Sequence, residues 1–298
     1  MTEGPLPVVI NRGGGTADKL GDKLTDEVTA AFAAAGCPID LHLVDGGAIK
    51  DRVSGLTAPV VAVGGGDGTQ GAAAAELAEH DRTLAVLPLG TRNHLARQLG
   101  IPLELAEAAK VAAQGSTTRI DLARGNGRVF VNNASIGLYT RLVRERDRRA
   151  GPKWLGTIPA TWHVLRHLRA RPLCLVVDGK RQSLRTPLLF IGNNRYSLEA
   201  GQVGERNSLT DGVLSLFAVD DKGPLALIAF ALRALVGLAH PEQDFAALAE
   251  ARTVEIEGSG AIDVAFDGEV ERMTLPLTFE IMPLALAVRV PASADRAQ

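Results

Sequence analysis

Cysteine is nearly absent: the 298 residues hold only Cys37 and Cys174. Two such thiols make neither a disulfide framework nor a zinc-ligand spacing, and they fit a reducing, cytoplasmic setting. An excess of one charge is missing too, with 32 Lys and Arg against 34 Asp and Glu. That balance gives no bulk attraction toward nucleic acid, so no nucleic-acid partner is expected. A long apolar run is also lacking. The most apolar window, PLALIAFALRALVGLA at 224–239, is short of the ~20 residues that span a bilayer and carries Arg233 in its middle. It reads as a buried or membrane-touching helix, not a transmembrane span. The opening MTEGPLPVVINRGGG lacks the basic and then apolar regions of a secretory signal. No internal repeat is visible, and only PASADRAQ at 291–298 reads as a loose tail.

What is present is ordinary globular composition, 46% hydrophobic and 22% charged, in a chain long enough for two domains. The first third alternates. PVVI (7–10), IDLHLV (39–44), APVVAVGGG (58–66) and TLAVLP (83–88) read as strands. Helices are expected at 18–35, at QGAAAAELAEH (70–80) and at RNHLARQLG (92–100). Strand–helix alternation implies a parallel sheet covered by helices. After about residue 120 the texture becomes short strands around turns such as GNG (125–127) and DGK (178–180). Helical stretches interrupt it near 154–170 and 224–250. The division expected is an α/β domain over 1–122 and a mostly β domain over 123–298. The last segment either stays with the second domain or returns to the first.

Chemistry concentrates at VVAVGGGDGTQGAAAAEL, residues 60–77. Gly66, Gly68 and Gly71 match G-x-G-x-x-G, but a dinucleotide loop also asks for an acid after the next strand. That strand ends LAVLPLGTRN, with no acid, and the loop follows the third strand rather than the first. A Walker loop fails because no GK[ST] follows. A packing turn needs one or two glycines, not four around an acid. Converging N–H groups and a following helix N-terminus make a phosphate site. Asp67 would repel the phosphate unless a cation lies between, which points to Mg²⁺ with a nucleotide.

GGGDGT after a buried strand, then LPLGTRNHLARQLGIP about twenty residues on, resembles the diacylglycerol-kinase catalytic family. These lipid kinases are related to sphingosine kinases and, more distantly, to NAD kinases. NNASIG (132–137), FIGNNRYS (190–197), NSLTDGVL (207–214) and FDGE (266–269) continue the likeness in the family's order. The later motifs favour the lipid-kinase branch over the NAD-kinase branch. The resemblance implies a Rossmann-like N-terminal α/β domain, a C-terminal β-sandwich and ATP in the cleft between them. It implies ATP-dependent transfer of the γ-phosphate to a lipid hydroxyl, diacylglycerol-like or related.

The family's site residues carry over by position. Gly65, Gly66, Asp67, Gly68 and Thr69 would hold the ATP phosphates and their Mg²⁺. Thr91 would add a nucleotide contact, and Asn11 matches the asparagine that begins the family's first loop. Glu269 would be the base and Asp267 its supporting or metal-linked neighbour. On a strand the two acids would leave the same side. The residues by themselves favour a DG hairpin turn there. Asp211 would anchor a structural Mg²⁺ with the carbonyls of Ser208 and Val213.

The chain also departs from its relatives. Gly71 and Ala72 stand where they commonly have Asn-Glu, His94 where they have Asp, and Ser215 where they often have another acid. NRGGG lacks the usual proline and serine, and LVDGG the usual threonine. These losses keep a nucleotide- or lipid-binding protein without turnover in play, beside a soluble-substrate kinase of the NAD-kinase type. RLVRERDRRAGPKW (141–154), with Trp154 and Trp162, suits either acidic headgroups at a membrane's inner face or a solvated helix. His163 and His167, four apart, have no acid or cysteine partner and read as a surface helix. NNASIG and FIGNN read as polar strand ends, with no chemistry assigned. The oligomeric state, a homodimer included, is left open.

Overall fold

The computed structural model describes residues 4–137, 171–196, 206, 208–219 and 245–292. The chain divides into two compact units, one of Met1–Leu122 with Pro283–Gln298 and one of Ala123–Met282.

In the first unit β1 (Leu6–Asn11), β2 (Ile39–Val44), β3 (Val60–Gly65) and β4 (Thr83–Pro88) form a parallel sheet in the order β2-β1-β3-β4. β3 is buried along its whole length, as its β-branched run demands. The helices are α1 (Gly15–Leu20), α2 (Leu24–Ala34), α3 (Ile49–Ser54), α4 (Asp67–Glu79), α5 (His94–Gln98) and α6 (Leu105–Gln114). The chain moves one way from β1 to β2 and the other way from β2 to β3. Right-handed crossovers therefore put α2 and α3 on opposite faces, and α2 packs with α6 while α3 packs with α4.

Two expectations for this unit need correction. The helix expected over 18–35 is broken at Gly21, whose φ of 52° lies outside the helical region and separates α1 from a 3₁₀ turn and α2. The helix expected from residue 70 starts at Asp67, because Gly66 with extended backbone caps it and Asp67, Gly68 and Thr69 accept helical geometry. The short α3 and the amphipathic α6 were not expected at all.

The second unit is a sandwich of two antiparallel layers. One layer holds β8 (Arg171–Val177), β9 (Lys180–Thr186), β13 (Thr253–Glu257) and the start of β16 (Leu277–Val290), in the order β16-β13-β8-β9. β5 (Ser116–Gly125) pairs with β16 and with β6 (Arg128–Phe130). The other layer runs β12-β11-β10-β7-β14-β15. These are β7 (Asn133–Gly137), β10 (Leu188–Asn193), β11 (Leu214–Val219), β12 (Phe245–Ala251), β14 (Ala261–Phe266) and β15 (Glu269–Thr274). Alternate residues from both layers, among them Leu175, Val254, Leu189, Leu216 and Val264, form one core. Phe130, Phe266 and Phe279 meet there at centroid distances of 5.8–6.5 Å. Each such buried ring contributes about 1.5–3 kcal/mol.

The GNG and DGK turns are hairpins as expected, with Asn126 and Asp178 at positive φ. The helical stretch expected over 224–250 is overturned at its end. Residues 245–250 lie in β12, which pairs antiparallel with β11. The rest of that stretch, the basic run at 141–154, Trp154, Trp162, His163 and His167 lie outside the described residues. No helix among the described residues is long and apolar enough to cross a membrane.

Candidate functional site

The first unit assembles its site where strand order reverses. β1 leads outward to β2 and β3 leads to β4 on the other side, so the crevice opens beyond the C-terminal ends of β1 and β3. Asn11, the last residue of β1, donates from Nδ2 to Thr69 Oγ1 at 3.0 Å and accepts the Gly13 N–H at 3.1 Å. One side chain thus ties the first loop to the glycine loop.

Two further backbone segments close in. A Cβ on Gly90 would lie 2.3 Å from the Gly66 Cα, so the loop after β4 touches the loop after β3 without room for a methyl group. A Cβ on Gly15, at φ 56°, would lie 2.8 Å from the Gly90 backbone, and Thr16 N–H donates to Leu89 O at 2.9 Å. The three loops converge on the N-terminus of α4, a 13-residue helix with no side-chain cap. Its first N–H groups are therefore available to an anion, with the positive end of the helix dipole behind them. Gly90→Ala forces backbone apart at this junction. It is expected to abolish nucleotide binding, measured by calorimetric titration with ATP. A variant that binds ATP like the wild type sinks the close-approach argument.

Asp67 lies in the first turn of α4, and its Oδ1 accepts the Leu95 N–H at 3.2 Å. The carboxylate therefore has a protein partner at the start of α5. One neutral N–H leaves the carboxylate's charge and its second oxygen open to a cation. Thr91 is exposed beside Gly90. Asn93, which sequence reasoning passed over, organises that loop. At φ 53° it accepts the Gly90 N–H at 2.9 Å and donates to Gly90 O at 3.0 Å and Pro88 O at 3.2 Å. An Asn just ahead of a helix was the available signal. Arg12 is exposed and paired with Asp45, which follows β2. Hydrogen bonding between them raises the arginine's pKa and lowers the aspartate's.

In the second unit FDGE is a hairpin. Asp267 at φ 47° and Gly268 at φ 91° form the turn between β14 and β15. The expectation that both acids leave one side is overturned, because they do not share a strand. Asp267 points inward and accepts the N–H groups of Val131, Asn132 and Asn133 at 2.8, 2.8 and 3.0 Å. Burial pushes its carboxyl above the ordinary range, against the opposing pull of those three donors. Glu269 points outward, 60% exposed, with one oxygen 2.9 Å from Arg128 Nη2.

The loop of Ser208, Asp211 and Val213 precedes β11. Asp211 is 15% exposed, and its carboxylate accepts the Arg195 N–H at 3.1 Å. The Val213 carbonyl accepts the Asn194 N–H at 2.9 Å and keeps a second lone pair. Ser215 is buried and donates to Asn194 O at 2.7 Å, so it brings no second charge. Among the described residues no three His, Cys, Asp or Glu side chains cluster as metal ligands. What the structure shows in this loop is the Asp211 carboxylate, 3.8 Å from Arg195 Nη1, and the Val213 carbonyl, hard-oxygen donors of the kind Mg²⁺ takes with waters completing its shell.

FIGNN, given no role from sequence, links these parts. Asn193 Nδ2 donates to Val131 O at 2.8 Å, and Asn194 Oδ1 accepts the Asp211 and Gly212 N–H groups at 2.9 and 3.2 Å. The Asn193–Asn194 pair thus holds the loop that binds Asp267 and the loop that carries Asp211.

Comparison with known proteins agrees with this architecture. Residues 5–124 match the diacylglycerol kinase catalytic domain, and residues 145–290 match the YegS C-terminal NAD kinase β-sandwich-like domain. A probable lipid kinase YegS-like protein of Pseudomonas aeruginosa is 30% identical over 283 residues, covering 90% of each chain. One from Klebsiella pneumoniae (strain 342) is 32% identical over 189 residues, 60% of this chain and 64% of that protein. A solved diacylglycerol kinase structure from Bacillus anthracis str. Sterne superposes with a TM-score of 0.65 at 23% identity, over 97% of each chain. At that identity the likeness is one of fold.

Proposed function

Because the chain belongs to the diacylglycerol kinase catalytic-domain family of lipid kinases, we propose that it transfers the γ-phosphate of ATP to a lipid hydroxyl. The observation that carries the ATP half is the convergence of three close-packed loops on the uncapped start of α4. Gly65, Gly66, Gly68 and Thr69 present backbone and hydroxyl donors to the phosphates, Asn11 holds Thr69 in place, and Thr91 adds a contact from the third loop. Positioning of this kind supplies most of the catalysis in phosphoryl transfer.

Glu269 is the proposed base. It is the exposed acid of its hairpin, free to reach an acceptor hydroxyl once Arg128 moves aside, and it takes the proton as that oxygen attacks phosphorus. Asp267 holds the turn that aims it. Asp67, within the glycine loop, would hold the Mg²⁺ of the nucleotide, and Asp211 with the carbonyls of Ser208 and Val213 would hold a structural Mg²⁺. Mg²⁺ bound with the nucleotide supplies charge neutralisation on the phosphates. The lipid is met at a membrane surface from the cytoplasmic side. The same reading takes 1–122 as the nucleotide domain and 123–298 as the sandwich, with the last strand shared.

The test is transfer of labelled γ-phosphate from ATP in mixed-lipid micelles with Mg²⁺. Label entering the organic phase supports the reading, and chromatography then names the lipid. ATP binding with label only in a water-soluble product replaces the lipid acceptor with a soluble one. ATP binding with no transfer marks a protein that has kept the fold and lost the chemistry.

A further inference from the structure

We infer that Arg206 is a positioning residue for the turn that carries Glu269, acting through the loop 131–133, an inference that rests on the kinase reading above. Arg206 is buried at 6% exposure. Its Nη1 donates to Val131 O at 2.7 Å and Asn193 O at 3.1 Å, and its Nη2 donates to Asn132 Oδ1 at 2.9 Å. The guanidinium stacks 5.5 Å from the Tyr196 ring centroid.

The same loop is held from its other side by Asp267. The Val131 carbonyl and the Asn132 N–H belong to one peptide group. Arg206 donates to its oxygen while its N–H donates to Asp267. The next peptide group repeats the pattern. Tyr196 Oη donates to Asn132 O at 2.8 Å, and the Asn133 N–H donates to Asp267. Two peptide planes therefore sit between a side-chain donor, buried Arg206 or half-buried Tyr196, and the half-buried Asp267 carboxylate. A donor on the carbonyl polarises the plane and strengthens the N–H bond beyond it, more so in a low-dielectric interior. The positive charge of Arg206 also acts on Asp267 directly, and a buried carboxylate requires such compensation. Asp267 opens the turn and Glu269 closes it, so slack in the loop becomes error in the aim of the base. Lysine reaches fewer of these acceptors, because only the planar fork of arginine addresses two carbonyls and an amide oxygen together.

The test compares wild type, Arg206→Met and Arg206→Lys by label transfer, thermal unfolding and amide hydrogen exchange. In Arg206→Met, kcat is expected to fall roughly 10- to 100-fold, as for a sub-ångström to 1 Å misplacement, with KM for ATP unchanged. The Asn132 and Asn133 amides exchange faster relative to amides of the same sheet. Arg206→Lys recovers part of both. The inference is overturned if a folded Arg206→Met keeps wild-type kcat, or if its kcat and KM change together as in general loosening. Unchanged exchange at Asn132 and Asn133 also overturns it, whether or not the wild type moves label. Failure of the wild type and of every lipid tried is a different result, which removes the kinase reading itself.

Discussion

Glu269→Gln is expected to lower the rate of phosphoryl transfer to lipid by roughly 10²- to 10⁴-fold, the range for loss of a general base. Stability should hardly move. The side chain is 60% exposed and its ion pair is with Arg128, at the surface. Exposed pairs of this kind are worth about 0–1 kcal/mol, so the unfolding temperature should stay within about 3 °C. ATP affinity should also be unchanged, because the proposed phosphate donors all lie in the first unit. Single-turnover label transfer, with calorimetric ATP binding on the same preparation, checks both halves. A Glu269→Gln enzyme with wild-type turnover removes Glu269 as the base and points to another acid or to water.

Asp267→Ala is expected to do the opposite kind of damage. The alanine leaves three loop N–H donors without their acceptor. Each stranded donor costs about 1–3 kcal/mol, and three of them are stranded together. At about 2–4 °C per kcal/mol, unfolding should move down by about 10 °C or more. Asp267→Asn should fall between, since its amide keeps one acceptor oxygen and turns a donor toward donors. Differential scanning calorimetry of the three proteins decides it. An Asp267→Ala protein that melts within 2 °C of wild type, roughly the shift for one surface contact, contradicts the anchoring role.

The contrast between these two acids marks the limit of sequence reading. FDGE was legible as two things at once, a turn by its DG pair and an acid pair by resemblance. Both readings describe the same four residues. Which acid faces solvent was not legible. It depends on Val131, Asn132 and Asn133 arriving from 134–136 residues away with their N–H groups exposed. The same holds for Arg206. Nothing in GERNSL distinguishes it from the chain's other arginines. Its role exists only because β7 and β10 bring two backbone carbonyls and an amide oxygen to one buried point.

The first unit was more readable, because its signals are local. A β-branched strand, a glycine run and an alanine-rich helix declare a strand–turn–helix phosphate site within twenty residues. Local propensity still erred at its edges. Gly21 broke a helix that the apolar spacing ran straight through, and the helix at the glycine loop began three residues early, at Asp67.

By itself, the sequence determined the parallel sheet, a mostly β second domain and the phosphate site at GGGDGT, while the resemblance supplied the sandwich and the chemistry at LPLGT and FDGE. Period-2 and period-3.6 patterns and glycine geometry act over a few residues, so a reader of the chain can see them. Only the tertiary structure decided which loops touch, that Asp67 caps the start of α5, that Asp267 is an inward anchor, that Asn193 and Arg206 bond the loop that Asp267 holds, and that Asn194 ties down the loop of Asp211. Those outcomes come from hydrogen-bond satisfaction of buried polar groups, which depends on partners distant in the chain and leaves no local pattern behind.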